Sequence, residues 1–217
     1  MFRTRPTILF CAILFGFALQ FTTAQARDIQ TAIVAGGCFW CVESDFDKVK
    51  GVVSTVSGYT GGTTNNPTYK KVTKGGTGHF EAVQIRFDAD VISYREVIDI
   101  FWRTVDPLDA GGQFCDRGNS YRTAVFVNGK SQREAAEASK AAADAAIRGK
   151  IITPILSAKK FYRAEAYHQN YYLGKKRVIT RFGLVPQSTA YKKYREACGR
   201  DKRLRQIWGA AALFAGS

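Results

Sequence analysis

The stretch Thr31-Ala32-Ile33-Val34-Ala35-Gly36-Gly37-Cys38-Phe39-Trp40-Cys41-Val42-Glu43 changes character halfway along. Its first five residues form a short apolar run that reads as a central strand, and Val42 to Lys50 reads as a helix. The two glycines between them let the backbone turn tightly and leave the next side chain uncovered. Cys38 therefore falls at a strand-to-helix turn, near a helix N-terminus. Unpaired N–H groups there carry a partial positive charge that favours a thiolate over a thiol. Phe39 and Trp40 add flat apolar surface beside that sulfur. A nucleophile next to a pocket for a small apolar group is the chemistry this stretch describes.

Working outward, Val52 to Ser57 is β-branched and strand-like. Gly58-Tyr59-Thr60-Gly61-Gly62 and the polar run to Pro67 read as a loop. His79 to Phe87 alternates, with Val83, Ile85 and Phe87 on one face. Ser93-Tyr94-Arg95-Glu96 is a capping box that opens a helix running to about Val105. A glycine-rich loop over 106–120 precedes a strand from Tyr121 to Val127, which ends at the turn signal Asn128-Gly129. Ser131 to Arg148 reads as an alanine-rich helix, and Ile151 to Leu156 as an edge strand marked by Pro154. Ala164 to Leu173 is helix or irregular, Arg181 to Ser188 a linker, and Thr189 to Ala197 a short helix. The class is α+β: a single-domain, two-layer sandwich with a mixed, largely antiparallel sheet and an irregular C-terminal tail.

Residues 1–26 stand apart. Arg3 and Arg5 precede an apolar run from Ile8 to Leu19, and Ala24-Gln25-Ala26 has the A-x-A form of a cleavage site. The run is short for a membrane span, which takes about 20 residues. The expectation is a cleaved signal peptide, a periplasmic or secreted protein and no lasting membrane anchor. Residues 27–188 then form the catalytic domain, and residues 189–217 form the tail with the expected resolving cysteine. The full chain carries 32 Lys and Arg against 18 Asp and Glu. Setting aside Arg3 and Arg5 leaves 30 basic residues and a net charge of +12. The basic residues are scattered, as on a solvated surface, and no nucleic-acid partner is expected. Beyond residue 26 there is no methionine, so the mature chain offers no thioether of its own to oxidation.

Four cysteines remain in that chain: Cys38, Cys41, Cys115 and Cys198. In an exported protein they read as a two-disulfide scaffold, but a chain of this length needs no staples. Cys38 and Cys41 make a C-x-x-C, so a thiol–disulfide exchanger is one reading. A basic binding module with structural disulfides is another. Metal ligation is disfavoured, because there is no second C-x-x-C and no H-x-x-x-H.

Seven segments decide among these. They are Gly36-Gly37-Cys38-Phe39-Trp40, Gly58-Tyr59-Thr60-Gly61-Gly62, Asn66-Pro67-Thr68-Tyr69, Gly78-His79-Phe80-Glu81-Ala82-Val83, Asp116-Arg117-Gly118-Asn119-Ser120-Tyr121-Arg122, Ala164-Glu165-Ala166-Tyr167-His168-Gln169 and Tyr194-Arg195-Glu196-Ala197-Cys198-Gly199-Arg200-Asp201. In this order, from about Thr31 to Gly209, the chain resembles the A-type peptide methionine sulfoxide reductases. The resemblance implies reduction of methionine-(S)-sulfoxide, free or in proteins. Cys38 is then the nucleophile, and Glu81 the acid that protonates the sulfoxide oxygen. Tyr59 and Tyr121 are phenols that hydrogen-bond that oxygen, and Asp116 is a polar residue of the same site. Phe39 and Trp40 receive the S-methyl group. It also implies a sulfenic acid on Cys38, resolved by a second cysteine and recycled by a thioredoxin-like or dithiol reductant, with no metal and no organic cofactor. A monomer is expected.

Elementary chemistry fits these roles. A sulfoxide oxygen leaves only when protonated, so an acid must stand beside the nucleophile. A glutamate serves near neutral pH if an apolar pocket raises its pKa. Phenols aimed at the oxygen stabilise the charge that grows there. His79 and His168 read as structural. Two departures bear on resolution: position 41, often glycine in this family, is cysteine here, and Cys115 precedes Asp116 where a non-sulfur residue is common. Cys198, after a linker-like run, is the favoured resolving residue, with Cys41 and then Cys115 as the alternatives.

Overall fold

The structure, a computed structural model, describes residues 27–216. The expected signal peptide lies outside the described residues. In chain order the elements are β1 (Ile29–Gly36), α1 (Phe39–Phe46), β2 (Val52–Thr60), α2 (Tyr69–Lys74), β3 (Phe80–Asp88), α3 (Tyr94–Trp102), β4 (Gly112–Gln113), β5 (Asp116–Arg117), β6 (Thr123–Val127), α4 (Gly129–Ala146), β7 (Ile155–Ser157), β8 (Tyr162–Arg163), β9 (Arg177–Thr180), β10 (Gly183–Pro186), α5 (Gln187–Ala197) and α6 (Arg200–Trp208). Single 3-10 turns cover Asn119–Tyr121, Ala166–His168 and Tyr171–Leu173.

Six strands form one sheet in the order β7-β6-β1-β3-β2-β8. Every pairing in it is antiparallel except β6 with β7. The mixed, largely antiparallel sheet is as the sequence predicts, and β7 lies at an edge just after Pro154. Strand alternation assigns the two faces. Ala32, Val34, Val83, Ile85, Phe87, Val125 and Val127 point to the main core with α1, α3 and α4. Ala35, Phe80, Ala82, Ala124 and Phe126 form a smaller cluster on the other face, covered by Leu156, Ala158 and Phe161. Ser93 closes the expected capping box: its hydroxyl accepts from the Glu96 amide while the Glu96 carboxylate accepts from the Ser93 amide.

Four expectations need correction. Gly58, Tyr59 and Thr60 belong to β2, because they continue the pairing with β3, Tyr59 opposite Glu81. Asn128-Gly129 starts α4 and makes no hairpin. The stretch taken for a linker is the second strand of a β9–β10 hairpin. The C-terminal tail is helical and docked. Arg195 in α5 pairs with buried Asp45 of α1 at 2.9 Å and with Asp201 at 2.9 Å, and Arg203 in α6 pairs with Asp106 at 2.6 Å. Among the described residues no helix is long and apolar enough to cross a membrane.

Candidate active site

Sheet register builds the site. Antiparallel pairing sets Val34 of β1 against Val83 of β3 and Gly36 against Thr123 of β6. With β1 between β3 and β6, Glu81 near the start of β3 and Tyr121 just before β6 flank the turn that follows Gly36. The chain then turns through Gly37, whose φ is +78°, a region costly for residues with a Cβ. A Cβ there would also lie 2.5 Å from the Cβ of buried Gln113. Cys38 is the N-cap of α1 but makes no side-chain cap hydrogen bond. The free amide of Phe39 donates instead to Glu81 Oε2 at 3.1 Å. The positive end of α1 thus holds the carboxyl of Glu81, while Glu81 Oε1 has no hydrogen-bond partner.

A cavity of about 500 Å³ opens over this turn. Cys38, Phe39, Trp40, Cys41, Tyr69, Glu81, Asp116 and Tyr121 all line it, as do Cys115 and Cys198. Trp40 stacks on Tyr171 with centroids 3.8 Å apart and planes 7° from parallel, and its Nε1 donates to His168 Nδ1 at 3.2 Å. Burial holds the His168 pKa down at about 4, so the ring is neutral and can accept that bond. Phe39 packs between His168, Tyr69 and Tyr59. The aromatic wall is therefore locked in one orientation from behind. His79 accepts from the Gly62 amide at 3.2 Å and meets the Thr64 carbonyl at 2.8 Å, which is the work of a loop tie.

Tyr59 is not where the resemblance puts it. It is fully buried behind the wall, and its hydroxyl donates to Glu165 Oε2 at 2.8 Å. The other oxygen of Glu165 accepts from the Tyr69 amide at 2.9 Å, at the first residue of α2. Tyr59 thus supports Tyr69 through Glu165. Of the tyrosines that line the cavity, Tyr69 and Tyr121 hydrogen-bond one another, and Tyr121 lies beside Glu81. Tyr69 stands in Asn66-Pro67-Thr68-Tyr69, and Thr68 caps α2 by accepting from the Lys71 amide. The resemblance carries Tyr59 to the site through Gly58-Tyr59-Thr60-Gly61-Gly62, but the structure engages its hydroxyl with Glu165.

The electrostatics prepare an acid and a shared sulfur proton. Burial pushes the Glu81 carboxyl up to about 8 against the pull of the Phe39 amide, and the charge of Asp116 adds to the rise. Glu81 is protonated at neutral pH. Burial raises Asp116 as well, with Arg200 and Arg181 opposing. The two thiols of the C-x-x-C hydrogen-bond one another. Cys38 is pushed well up by that bond, by burial and by the negative charges of Cys41, Glu81 and Asp116. Cys41 is pulled down to about 7 by the same bond and by Arg200 and Arg195. The two thiols thus titrate as a hydrogen-bonded pair around a shared proton, with Arg200 and Arg195 favouring negative charge at Cys41. The helix end is occupied by Glu81, and the two arginines face Cys41.

The four cysteines fall into two states. Cys38 and Cys41 are free, and Cys115 is joined to Cys198 by a disulfide. Of the expected resolving candidates, Cys41 is the one that hydrogen-bonds Cys38, while Cys115 and Cys198 are bonded to each other. Cys115, Asp116 and Cys198 are the grouping of metal-ligand type among the described residues, and two of the three are tied up in the disulfide.

A model of the family described as "Peptide methionine sulfoxide reductase" matches residues 30–210. "Peptide methionine sulfoxide reductase MsrA 2" of Rhizobium meliloti (strain 1021) is 45% identical over 203 residues, which cover 92% of this chain and 96% of that one. "Peptide methionine sulfoxide reductase MsrA" of Bacillus subtilis (strain 168) is 46% identical over 183 residues, 83% of this chain and 97% of that one. Among solved structures, "Methionine sulfoxide reductase A of Corynebacterium diphtheriae" superposes with a TM-score of 0.60 at 29% identity, covering 74% of this chain and 84% of that one. Mxr1 from Saccharomyces cerevisiae in reduced form superposes with a TM-score of 0.59 at 31% identity, over 68% and 85%. The chain belongs to the peptide methionine sulfoxide reductase family.

Proposed function

We propose that the protein reduces methionine-(S)-sulfoxide, free or within polypeptides, through a sulfenic acid on Cys38 that Cys41 resolves. One observation carries this reading: the Cys38 sulfur, a protonated buried Glu81 and two phenolic hydroxyls face a single cavity with an aromatic wall. The S-methyl group lies against Phe39 and Trp40. The sulfoxide oxygen then faces Glu81, Tyr69 and Tyr121.

Cys38 passes its proton to Cys41 and attacks the sulfoxide sulfur. Glu81 gives its proton to the departing oxygen, and the phenols stabilise charge there by about 2–4 kcal/mol per donor, as oxyanion-hole donors do. The hydroxyl then passes from the substrate sulfur to Cys38 Sγ as the bond between the two sulfurs breaks, so the thioether leaves as methionine and Cys38 is left as the sulfenic acid. Cys41 Sγ then attacks Cys38 Sγ, water leaves, and a Cys38–Cys41 disulfide forms. Two thiols have supplied the two electrons. A dithiol donor of thioredoxin type restores them.

Separated (S) and (R) epimers of N-acetylmethionine sulfoxide, assayed with dithiothreitol, test the reading. The expected result is one methionine per (S) epimer consumed and no conversion of (R). Equal rates on both epimers, or none on either, would refute it.

A further inference from the structure

The cavity over Cys38 has a side that the chemistry does not use. Val178, Ile179 and Thr180 of β9 and the turn residue Arg181 line it in succession, and no residue of β10 does. Consecutive strand residues alternate between two faces. Val178 and its partner Val185 pack inward on Tyr171, Ala190 and Tyr191, the cluster that also carries Cys38 and Trp40. Ile179 and its partner Leu184 point the other way, 89% and 52% exposed. Residues on opposite faces of one strand meet the same cavity through what they share, the backbone edge. The rim of the cavity on this side is therefore the outer edge of β9.

That edge is open: among the described residues β9 pairs with β10 alone. The Gln187 amide donates to the Lys176 carbonyl at 2.9 Å, which makes these two a hydrogen-bonded pair. By alternation Val178–Val185 and Thr180–Gly183 are hydrogen-bonded pairs too, and Arg177 and Ile179 turn their N–H and C=O groups outward. Pro186, opposite Arg177, agrees with this parity, since its position asks for no N–H. β9 itself carries no proline, and its register runs without a bulge. A strand edge of this kind is a template for another extended chain.

Charge and position select the chain that fits. Lys175, Lys176, Arg177 and Arg181 are all exposed along this edge. Arg181 is held at the rim by the rings of Phe182 and Tyr194, 4.8 and 5.3 Å from its guanidinium. Two copies of the protein paired antiparallel about Ile179 would set Arg177 of one against Arg181 of the other, and like charges opposite one another destabilise a ladder. Acidic side chains on the entering strand suit the same cations. The edge is also continuous with the substrate cavity. A methionine sulfoxide side chain that reaches Cys38 leaves its own backbone at the rim, where β9 runs.

We propose that the outer edge of β9 is a docking strand for the substrate polypeptide, which pairs in extended form with Arg177 and Ile179 while its oxidised methionine enters the cavity and acidic residues beside it meet the cations from Lys175 to Arg181. The proposal rests on the reading under Proposed function and narrows its substrate class to methionine sulfoxide in an unfolded, acidic stretch of a protein. Backbone pairing supplies affinity without asking for a particular sequence. The free amino acid has no flanking residues to pair and gains nothing from this edge.

The test compares KM values in dithiothreitol for a blocked heptapeptide with (S)-methionine sulfoxide at its centre, glutamate at each end and alanine between. One form is plain, one is N-methylated on the residues next to the sulfoxide, and one on the residues two away. In an extended chain those two sets of N–H groups point to opposite edges, and pairing with β9 uses one set. One methylated form should show a KM about tenfold or more above the plain peptide, as lost hydrogen bonds give, and the other a KM within about twofold of it. In Ile179→Pro, which removes an outward N–H and spares the hairpin ladder, the gap between the two methylated forms should shrink. Lysine in place of both glutamates should raise KM at low ionic strength and not in high salt. Equal KM for all three forms on the wild type, or one penalty shared by both methylated forms, would overturn the docking and leave the edge to a second copy or the dithiol donor. No rise with lysine at low ionic strength would overturn the acidic preference. No methionine from these peptides or from N-acetylmethionine-(S)-sulfoxide would instead sink the reductase reading. The wild-type values decide by themselves if Ile179→Pro does not fold.

Discussion

Replacing Glu81 with Gln should lower kcat/KM for methionine sulfoxide by about 10²–10⁴-fold, the range of a lost general acid. The substitution keeps the shape, and the amide oxygen still accepts from the Phe39 amide at the head of α1. What it removes is the proton. Burial holds the carboxyl at about 8, so most of the wild-type protein carries that proton at pH 7. The sign follows: kcat/KM of the wild type should rise through about 7, as the cysteine pair loses its first proton, and fall above about 8, as Glu81 loses its own. Because the thiols are coupled, the lower value belongs to the pair. In Glu81→Gln the alkaline fall should vanish while the acid limb stays. A variant with near wild-type kcat/KM, or one that keeps the alkaline limb, would remove Glu81 from the reaction. Unchanged thermal unfolding would show that the loss is chemical.

Cys38→Ser should abolish turnover, a loss on the order of 10⁴-fold or more. A hydroxyl in the same place is a far poorer nucleophile toward sulfur, and its own proton cannot be shared with Cys41 as the thiol's is. The variant should still bind substrate, since the wall of Phe39 and Trp40 is held by Tyr171 and His168, not by the sulfur. A KM or Kd near the wild-type value with no methionine formed is the expected pair of readings. Residual turnover in dithiothreitol would place the nucleophile elsewhere.

The fold was legible where local signals and burial agree. The strand at Thr31 to Ala35, the alternation in β3 and the capping box at Ser93 each satisfy a period or a cap and a core contact together. The C-terminal region was misread because what orders it is remote. Arg195 and Arg200 look like surface charge in sequence, and only their partners Asp45, Gly36 and Thr104 bury them. Cys38, Glu81, Tyr121 and Asp116, singled out in the sequence, come together around one cavity in the structure. The sequence reading failed at Tyr59, where a motif placed a tyrosine in the neighbourhood but its hydroxyl engages Glu165. The coupling of Cys38 and Cys41 was also out of reach, since it depends on a hydrogen bond between the two thiols, on their burial and on Arg200 and Arg195, which are remote along the chain.

The central claim is that the Cys38 sulfur leaves the reaction as a sulfenic acid in step with methionine. The most direct measurement uses a Cys41→Ser/Cys115→Ser/Cys198→Ser variant, in which Cys38 is the one thiol left beyond residue 26. It is mixed with one equivalent of N-acetylmethionine-(S)-sulfoxide and a sulfenic-acid trap such as dimedone. Methionine and a dimedone adduct on Cys38 should appear in equal amounts and at matching times. Methionine released with Cys38 still alkylatable and no adduct formed would contradict the account.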